Sequence, residues 1–344
     1  MNNPLVSIQI VVHNGQSYVR DCLRRVYAQT YPTLEVVVLD NASTDATCEI
    51  IQKEFPQATL NVHGKNVGMW LGQDYLLSRT KGKYVLALSA DVVLDKDFIT
   101  RAIPVMESDA RIGALQSKMY QWDGGAERTT TTLDTCGFAL TRSRKVVNIG
   151  HGQADAPQYA RQRELFAAEG AAPLFRREAL EDIRIEGRIA DPDYFWYGDD
   201  LDMGWRMHLF GWKQIYAPNV VAWHDRSTTK GAAHSFGDVL KRVAVRRRIP
   251  LQKRRWDWSN VRFTIIKNDY ILNILGDMPW ILAREVGVFF YTLLVEPKVF
   301  LECGRFLRLL PRMWHRRQLV MAKATVPPRE MGKWFRQSSH VPAN

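Results

Sequence analysis

The sequence predicts an α/β fold: a doubly wound, mostly parallel sheet followed by a basic, mainly helical C-terminal extension. Three observations point there. Continuous apolar runs of strand length recur through the first hundred residues, as in parallel strands covered on both faces. Helical periodicity and short polar loops separate them. Charge is split along the chain: residues 1–225 carry 24 Lys+Arg against 28 Asp+Glu, and residues 226–344 carry 23 against 8. A body of net charge −4 is thus joined to an extension of net charge +15.

The elements follow in order. Val6 to Val12 reads as a buried strand ending at His13-Asn14-Gly15, and Tyr18, Cys22 and Val26 recur at helical spacing up to Tyr31-Pro32. Glu35 to Asp40 is a second apolar strand. The polar turn Asn41 to Asp45 then opens a helix through about Glu54, because its side chains can accept from free helix N–H groups. Thr59 to His63 is a third strand, a glycine-containing turn leads to a helix near 72–78, and Tyr84 to Asp91 holds a fourth strand. Residues 112–165 read as short strands, Ile112–Gln116 and Gly137–Thr141, between polar loops, with no site assigned. Gly198 to Gly211 is a helix entered through acidic residues, and two short strands follow, Trp212–Ala217 and Val220–His224.

With 344 residues, 46% apolar and 24% charged, the chain can bury a large core and is not of the disordered class. The boundaries expected are a catalytic domain at 1–230, a basic helical membrane-associating region at 231–324 and a flexible tail at 325–344, rich in Pro, Ser and Gln. Cys22, Cys48, Cys136 and Cys303 are scattered without metal-ligand spacing, which fits reduced thiols in the cytoplasm. The N-terminus lacks the basic and apolar regions of a signal peptide. The most apolar stretch, Val286–Val295, spans about ten residues, short of the roughly 20 of a spanning helix.

Ligands of a doubly wound sheet bind beyond the carboxyl ends of its strands. Asp40 and Asp91 stand at two such ends. One aspartate there is an ordinary turn residue; two begin to mark a site. Asp199, Asp202 and Arg206 share one face of the acidic helix, behind the aromatic run Tyr194-Phe-Trp-Tyr197. Three acids in four positions exceed what a helix cap needs, and a carboxylate against aromatic walls can have a raised pKa and serve as a base. His224 at a strand end is a metal-ligand candidate.

These segments together resemble family 2 glycosyltransferases of the GT-A superfamily, especially its bacterial rhamnosyltransferase-like branch. The likeness runs over about residues 5–230. It rests on Val6 to Gly15, Ala28-Gln-Thr-Tyr-Pro32, Val36 to Asp45, Asn66 to Gly72, Gly170 to Leu180, and Tyr197-Gly-Asp-Asp-Leu-Asp202 with Arg206, Gly211 and Trp212. The resemblance implies a GT-A, Rossmann-like fold. It implies an inverting transfer of a sugar, L-rhamnose as the first guess, from a dTDP- or UDP-sugar donor to a lipid-diphosphate-linked glycan in O-antigen or other cell-surface polysaccharide synthesis. His13, Asn14, Asp40, Asn66, Gly68 and Asp91 would bind the nucleotide. Asp91 and His224 would hold a divalent cation, Mg²⁺ or Mn²⁺. Asp200 would be the general base with Asp199 beside it, and Gly170, Ala171, Trp196, Asp202 and Arg206 would line the acceptor side. The sequence departs from the family at Ser89-Ala90-Asp91, where Asp-x-Asp is common.

The extension mixes Arg and Lys with Trp, Leu and Phe, in Lys241–Trp258, Trp280–Val295 and Phe300–Trp314. That composition fits a helix lying in a bilayer interface, hence a peripheral protein on the anionic inner face of the cell membrane. Nucleic acid is the competing partner for a basic tail, but it leaves the acidic residues without a role. A third reading, a GT-A-like protein without activity, follows from the incomplete Asp-x-Asp. Homo-oligomerisation is left open.

Overall fold

The computed structural model describes residues 3–122, 129–226 and 239–336. The strand–helix alternation holds. β1 (Val6–Val12), α1 (Val19–Tyr27), β2 (Leu34–Asp40), α2 (Thr47–Glu54), β3 (Thr59–Val62), α3 (Met69–Leu77) and β4 (Tyr84–Ser89) form the first half. β5 (Val92–Leu94), α4 (Phe98–Glu107), β6 (Ile112–Trp122), β7 (Thr129–Thr135), β8 (Phe138–Leu140), β9 (Val146–Asn148), β10 (Arg163–Glu164) and β11 (Leu174–Arg176) follow. Then come α5 (Arg177–Asp182), α6 (Asp199–Leu209) and β12 (Lys213–His224). The extension is helical: α7 (Val239–Arg248), α8 (Leu251–Asn268), α9 (Ile271–Gly276), α10 (Met278–Val295), α11 (Cys303–Lys323) and α12 (Pro328–Arg336).

The main sheet runs β10-β12-β6-β11-β4-β1-β2-β3, with β5 on β12 and β7 on β6. β3, β2, β1 and β4 are parallel, as are β6 and β12, and β11 is antiparallel between β4 and β6. Chain order reverses at β1: β2 lies on one side and β4 on the other, which opens a crevice at their carboxyl ends. Alternate β1 residues face opposite cores. Val6, Ile8, Ile10 and Val12 pack with Val19, Leu23 and Val26 of α1, whereas Val11 packs with Leu76 of α3. Helices therefore cover both faces, and the apolar strand runs are explained.

Several expectations change. The two strands expected at 212–217 and 220–224 are one, β12, with a register shift between Ala217 and Val221 where it pairs with β6. The expected flexible tail is helical through Arg336, because Met331 and Phe335 of α12 bury against Phe166 and Trp205. The extension is not a separate appendage either: Phe263 of α8 and Met313 of α11 enclose Tyr194. The apolar stretch at 286–295 extends back to Met278, giving one helix of 18 residues with mean hydropathy 1.4 that is long and apolar enough to cross a membrane. Most of that helix is exposed. The expected boundary at 230 and residues 337–344 lie outside the described residues.

Candidate active site

The crevice has two compartments. In the first, β1 ends at Val12 beside Asp40 of β2, while Ser89 of β4 pairs with Val11 on the other side. Asp40 and Asp91 therefore flank the tip of β1, roughly 10 Å apart at two strand spacings. Asp40 is buried, and its Oδ2 accepts the Ser43 amide at 3.0 Å. Asn14, with a left-handed φ of 51°, donates its amide to Ser43 Oγ at 2.8 Å and accepts the Thr44 amide at 2.8 Å. The His13 ring is held on the Asn41 carbonyl at 3.0 Å.

Asn41, which sequence reasoning passed over as part of a turn, joins this loop to the next. Its amide donates to Asn66 Oδ1 at 3.0 Å and the Gly68 carbonyl at 3.2 Å, and its oxygen accepts the Val67 amide at 2.9 Å. Gly68 is required where it stands: φ is 86°, and a Cβ there would lie 3.0 Å from the Phe195 carbonyl. The expected nucleotide residues His13, Asn14, Asp40, Asn66 and Gly68 thus belong to one connected loop cluster. Asp91 is across β1 from it.

The second compartment is a chain of charges. Pairing of β5 with β12 sets His224 opposite Val92, which brings His224 Nε2 to 3.5 Å from Asp91 Oδ2. Ser89 Oγ donates to Asp91 Oδ1. On its other side, His224 Nδ1 is 2.9 Å from Asp134 Oδ2. Arg226 then bridges Asp134, at 2.9 Å, and Glu169, at 2.6 Å. Glu169 Oε2 accepts the Ala171 amide at 3.0 Å, and Gly170 lies against Asp200, whose Oδ2 would be 3.4 Å from an added Cβ. Asp91, His224 and Asp200 are therefore linked through Asp134, Arg226 and Glu169.

The electrostatics separate the carboxylates. Burial, then the charge of Glu169, pushes Asp200 up to about 6. Burial and the charges of Asp200, Asp202 and Asp191 hold Asp199 well above the carboxylate range. Asp134 is the reverse case: burial alone would raise it, but His151, His224 and Arg226 hold it far below that range. Burial disfavours a charged His224, yet Asp91 and Asp134 outweigh this and push it up to about 10.

Not every expected residue opens on the cleft. Asp202 and Arg206 are buried and paired at 2.9 Å. Asp202 also meets Lys267 at 2.9 Å and the Asn268 amide at 2.7 Å on α8, and Arg206 donates to the Ile189 carbonyl at 2.7 Å. The pair fastens α6 to α8 rather than facing an acceptor. Trp196 does stand at the surface, with Lys253 Nζ 3.6 Å from its ring centroid. The loop carrying it is shaped by left-handed Tyr197 (φ 66°) and Gly198 (φ 89°) and held by Asn260 of α8, whose amide donates to the Trp196 and Tyr197 carbonyls at 2.9 and 3.0 Å. A helix of the extension thus sets the entry to α6, where Asp200 sits.

Asp134, Glu169 and Arg226 were missed by sequence reasoning. Residues 112–165 offered no site, yet they supply Asp134 and His151, the latter bonded to the Asp134 carbonyl at 2.7 Å. The donor set at Asp91 and His224 fits a divalent cation. One oxygen and one nitrogen face each other; a cation entering there would displace the Nε2 proton that the two carboxylates hold on His224, and Asp134 on Nδ1 would fix the tautomer that then presents the Nε2 lone pair. Among the described residues no third His, Cys, Asp or Glu completes a cluster, so water and phosphate oxygens would supply the remaining ligands.

A family model described as glycosyltransferase like family 2 matches residues 4–242. The poly-beta-1,6-N-acetyl-D-glucosamine synthase of Staphylococcus epidermidis is 25% identical over 228 residues, 63% of this chain and 49% of the relative. Glycosyltransferase GlyA of Streptococcus pneumoniae is 27% identical over 113 residues, 31% of this chain and 16% of the relative. The chain spans half or less of the length of these relatives. Among solved structures, the mannosyltransferase PcManGT from Pyrobaculum calidifontis, in complex with GDP-Man and Mn²⁺, superposes with a TM-score of 0.52 at 18% identity, covering 94% of this chain and 86% of that one. GalNAc-T7 with UDP, GalNAc and Mn²⁺ gives 0.51 at 17% identity over 65% of this chain and 44% of that one. These likenesses establish a shared fold.

Proposed function

This chain belongs to the glycosyltransferase-like family 2, and from that premise we propose that it transfers a sugar from a nucleotide-diphosphate donor with inversion at the anomeric carbon. The observation that carries the reading is the linked arrangement of Asp91, His224 and Asp200 at the carboxyl edge of the sheet, beside the loop cluster of Asp40, Asn41 and Gly68.

The loop cluster binds base and ribose. Asp91 and His224 would hold Mg²⁺ or Mn²⁺, which would supply positive charge to neutralise the diphosphate leaving group. Asp134 keeps the His224 ring oriented, and Arg226 keeps Asp134 and Glu169 in register. Asp200 takes the proton of the acceptor hydroxyl as its oxygen bonds to the anomeric carbon. The bond from that carbon to the diphosphate oxygen breaks on the opposite face, and its electron pair leaves on the nucleoside diphosphate.

The acceptor is a lipid-linked glycan in cell-surface polysaccharide synthesis, and the enzyme works on the inner face of the cell membrane. Support comes from the extension. Trp280, Val286, Phe289, Phe290 and Leu294 of α10 are exposed, as are Ile271 and Leu272 of α9 and Leu307 and Trp314 of α11. Much of the basic charge is spent inside: Arg246 and Arg254 pair with Glu296, Arg255 and Arg305 with Glu302, Arg262 with Glu285, and Arg316 with Asp191. What remains outward joins this apolar face to exposed Arg247, Arg248, Lys298 and Arg308, a combination that suits an anionic bilayer.

A panel of dTDP-, UDP- and GDP-sugars, dTDP-L-rhamnose first, tests the reading by nucleoside diphosphate release with Mn²⁺ or EDTA. Release from one donor class, raised by Mn²⁺ and absent in Asp200→Asn, is expected. No release from any donor, with or without a lipid-linked acceptor extract, would remove it.

A further inference from the structure

The linkage from Asp91 to Asp200 passes through Asp134, Arg226 and Glu169, and only two of these have exposed side-chain surface. The Asp134 side chain is 0% exposed, so it acts from beneath, whereas Glu169 retains 9% and Arg226 18%. Both members of this pair are fixed. Arg226 uses Nε and Nη2 on Asp134 and Glu169, and its Nη1 takes part in neither pair. Glu169 accepts Arg226 on Oε1 at 2.6 Å and the Ala171 amide on Oε2 at 3.0 Å, and its own amide donates to Gln116 Oε1 at 2.7 Å. Each carboxylate oxygen has a second lone pair, so each can still accept from a ligand. The next residue is Gly170, where a Cβ would lie 3.4 Å from Asp200 Oδ2 and 3.2 Å from Trp70 Cζ2. Position 170 thus brings Glu169 up beside Asp200 without a side chain of its own. A nearly buried ion pair contributes little net stability, because desolvating two charges offsets their attraction.

Displacement with inversion puts the base and the leaving oxygen on opposite faces of the anomeric carbon, so the sugar ring lies between Asp200 and the Asp91–His224 end. That interval is the one Glu169 and Arg226 span. We propose that Glu169 and Arg226 select the donor sugar, the carboxylate accepting from one ring hydroxyl while the guanidinium donates to its neighbour. The proposal rests on the transferase reading above and adds to it which residues read the sugar. The substrate class follows from the pair: a hexose with two adjacent free hydroxyls, which an acceptor beside a forked donor fits. A site built to bond such hydroxyls rejects a donor that lacks or reorients them. The loop cluster of Asp40 and the Asp91–His224 end meet only the nucleotide part, so a change at Glu169 separates recognition of the sugar from recognition of the nucleotide.

The test is equilibrium binding by calorimetry on the full chain, in Mn²⁺ and without acceptor, of dTDP-L-rhamnose, UDP-glucose, UDP-galactose and GDP-mannose against dTDP, UDP and GDP. Glu169→Gln keeps the size of the side chain and removes the ion pair. It should weaken the tightest-binding nucleotide sugar at least about tenfold more than the matching nucleoside diphosphate, the loss of one charge-assisted hydrogen bond. A smaller difference overturns the proposal, because a pair that only scaffolds the site would weaken both ligands alike. Melting temperature on the same preparation shows whether the variant is folded. If it is not, Arg226→Lys, which keeps the charge beside Asp134 but loses the fork, is held to the same difference. Donor turnover by the wild-type protein separates the two readings. Turnover with a smaller difference leaves the transferase and discards the selecting role of the pair. No turnover of any donor, with or without a lipid-linked acceptor extract, removes the transferase and this proposal with it.

Discussion

Replacing Asp200 by Asn changes two measurable properties in opposite directions, because the carboxylate is held where a base is useful and a folded protein is penalised. Its pKa lies near 6 rather than at the ordinary 3.8. A carboxyl group whose folded pKa exceeds its unfolded value binds its proton more tightly in the native state. The native state is then penalised as pH rises from about 4, and the penalty is complete above about 6. Two units correspond to about 3 kcal/mol, which solvent screening of this partly exposed side chain reduces to roughly 1–2 kcal/mol. Asp200→Asn should therefore gain about 1–3 °C in melting temperature at pH 7.5 and gain little at pH 4. The same substitution should lose about 10²- to 10⁴-fold in transfer rate. In wild type, the base is roughly 90% ionised at pH 7 and roughly 10% at pH 5, so the rate should fall about tenfold across that interval. Transfer by initial rate and melting by calorimetry on one preparation suffice. Retention of more than about a tenth of the rate assigns the proton to another group. A loss of stability at pH 7.5 would show that Asp200 is a structural partner instead.

Other substitutions read the neighbouring parts. Glu169→Gln removes the charge that helps raise Asp200, so the acid limb of the pH–rate profile should move to lower pH; an unmoved limb would show that burial alone sets Asp200. Asp202→Ala should destabilise by about 3–5 kcal/mol, because it leaves buried Arg206 without its carboxylate and Lys267 with Asp191 alone; a melting temperature equal to wild type would return Asp202 to the acceptor side. Truncation after Val326 exposes the Met331 and Phe335 sites on Trp205 and should cost about 3–6 kcal/mol. Denaturant unfolding checks this, and an unchanged midpoint would make α12 dispensable.

The sheet was legible because β1, β2 and β4 are apolar along their length, and the acids at their ends stand out against those runs. Asp199 and Asp200 were visible for the same reason, as surplus acids at a helix entry. The sequence could not separate their roles, which depend on Glu169, Asp191 and Asp202 approaching from other segments. Asp134 left no local signal. β7 reads Thr-Thr-Thr-Thr-Leu-Asp-Thr, with one apolar residue, and its aspartate meets His224 and Arg226 ninety or more residues away. Arg226 follows the end of β12 by two residues and resembles any surface arginine until Glu169 is placed beside it. α10 was read short because Arg284 and Glu285 interrupt its apolar run, and both turn toward one another and Arg262 in the fold. α12 did carry a signal, Met331 and Phe335 four apart, that the polar composition around it obscured.

Asp91 and His224 would act together on a cation that carries the donor's diphosphate. Equilibrium binding of UDP and dTDP, with Mn²⁺ and with EDTA, tests it most directly in wild type, Asp91→Ala, His224→Ala and Asp200→Asn. Binding should be tighter in Mn²⁺ for wild type and Asp200→Asn, and both alanine variants should lose that increment. Equal affinity in Mn²⁺ and EDTA for the wild-type protein, or an increment that survives in both alanine variants, would contradict it.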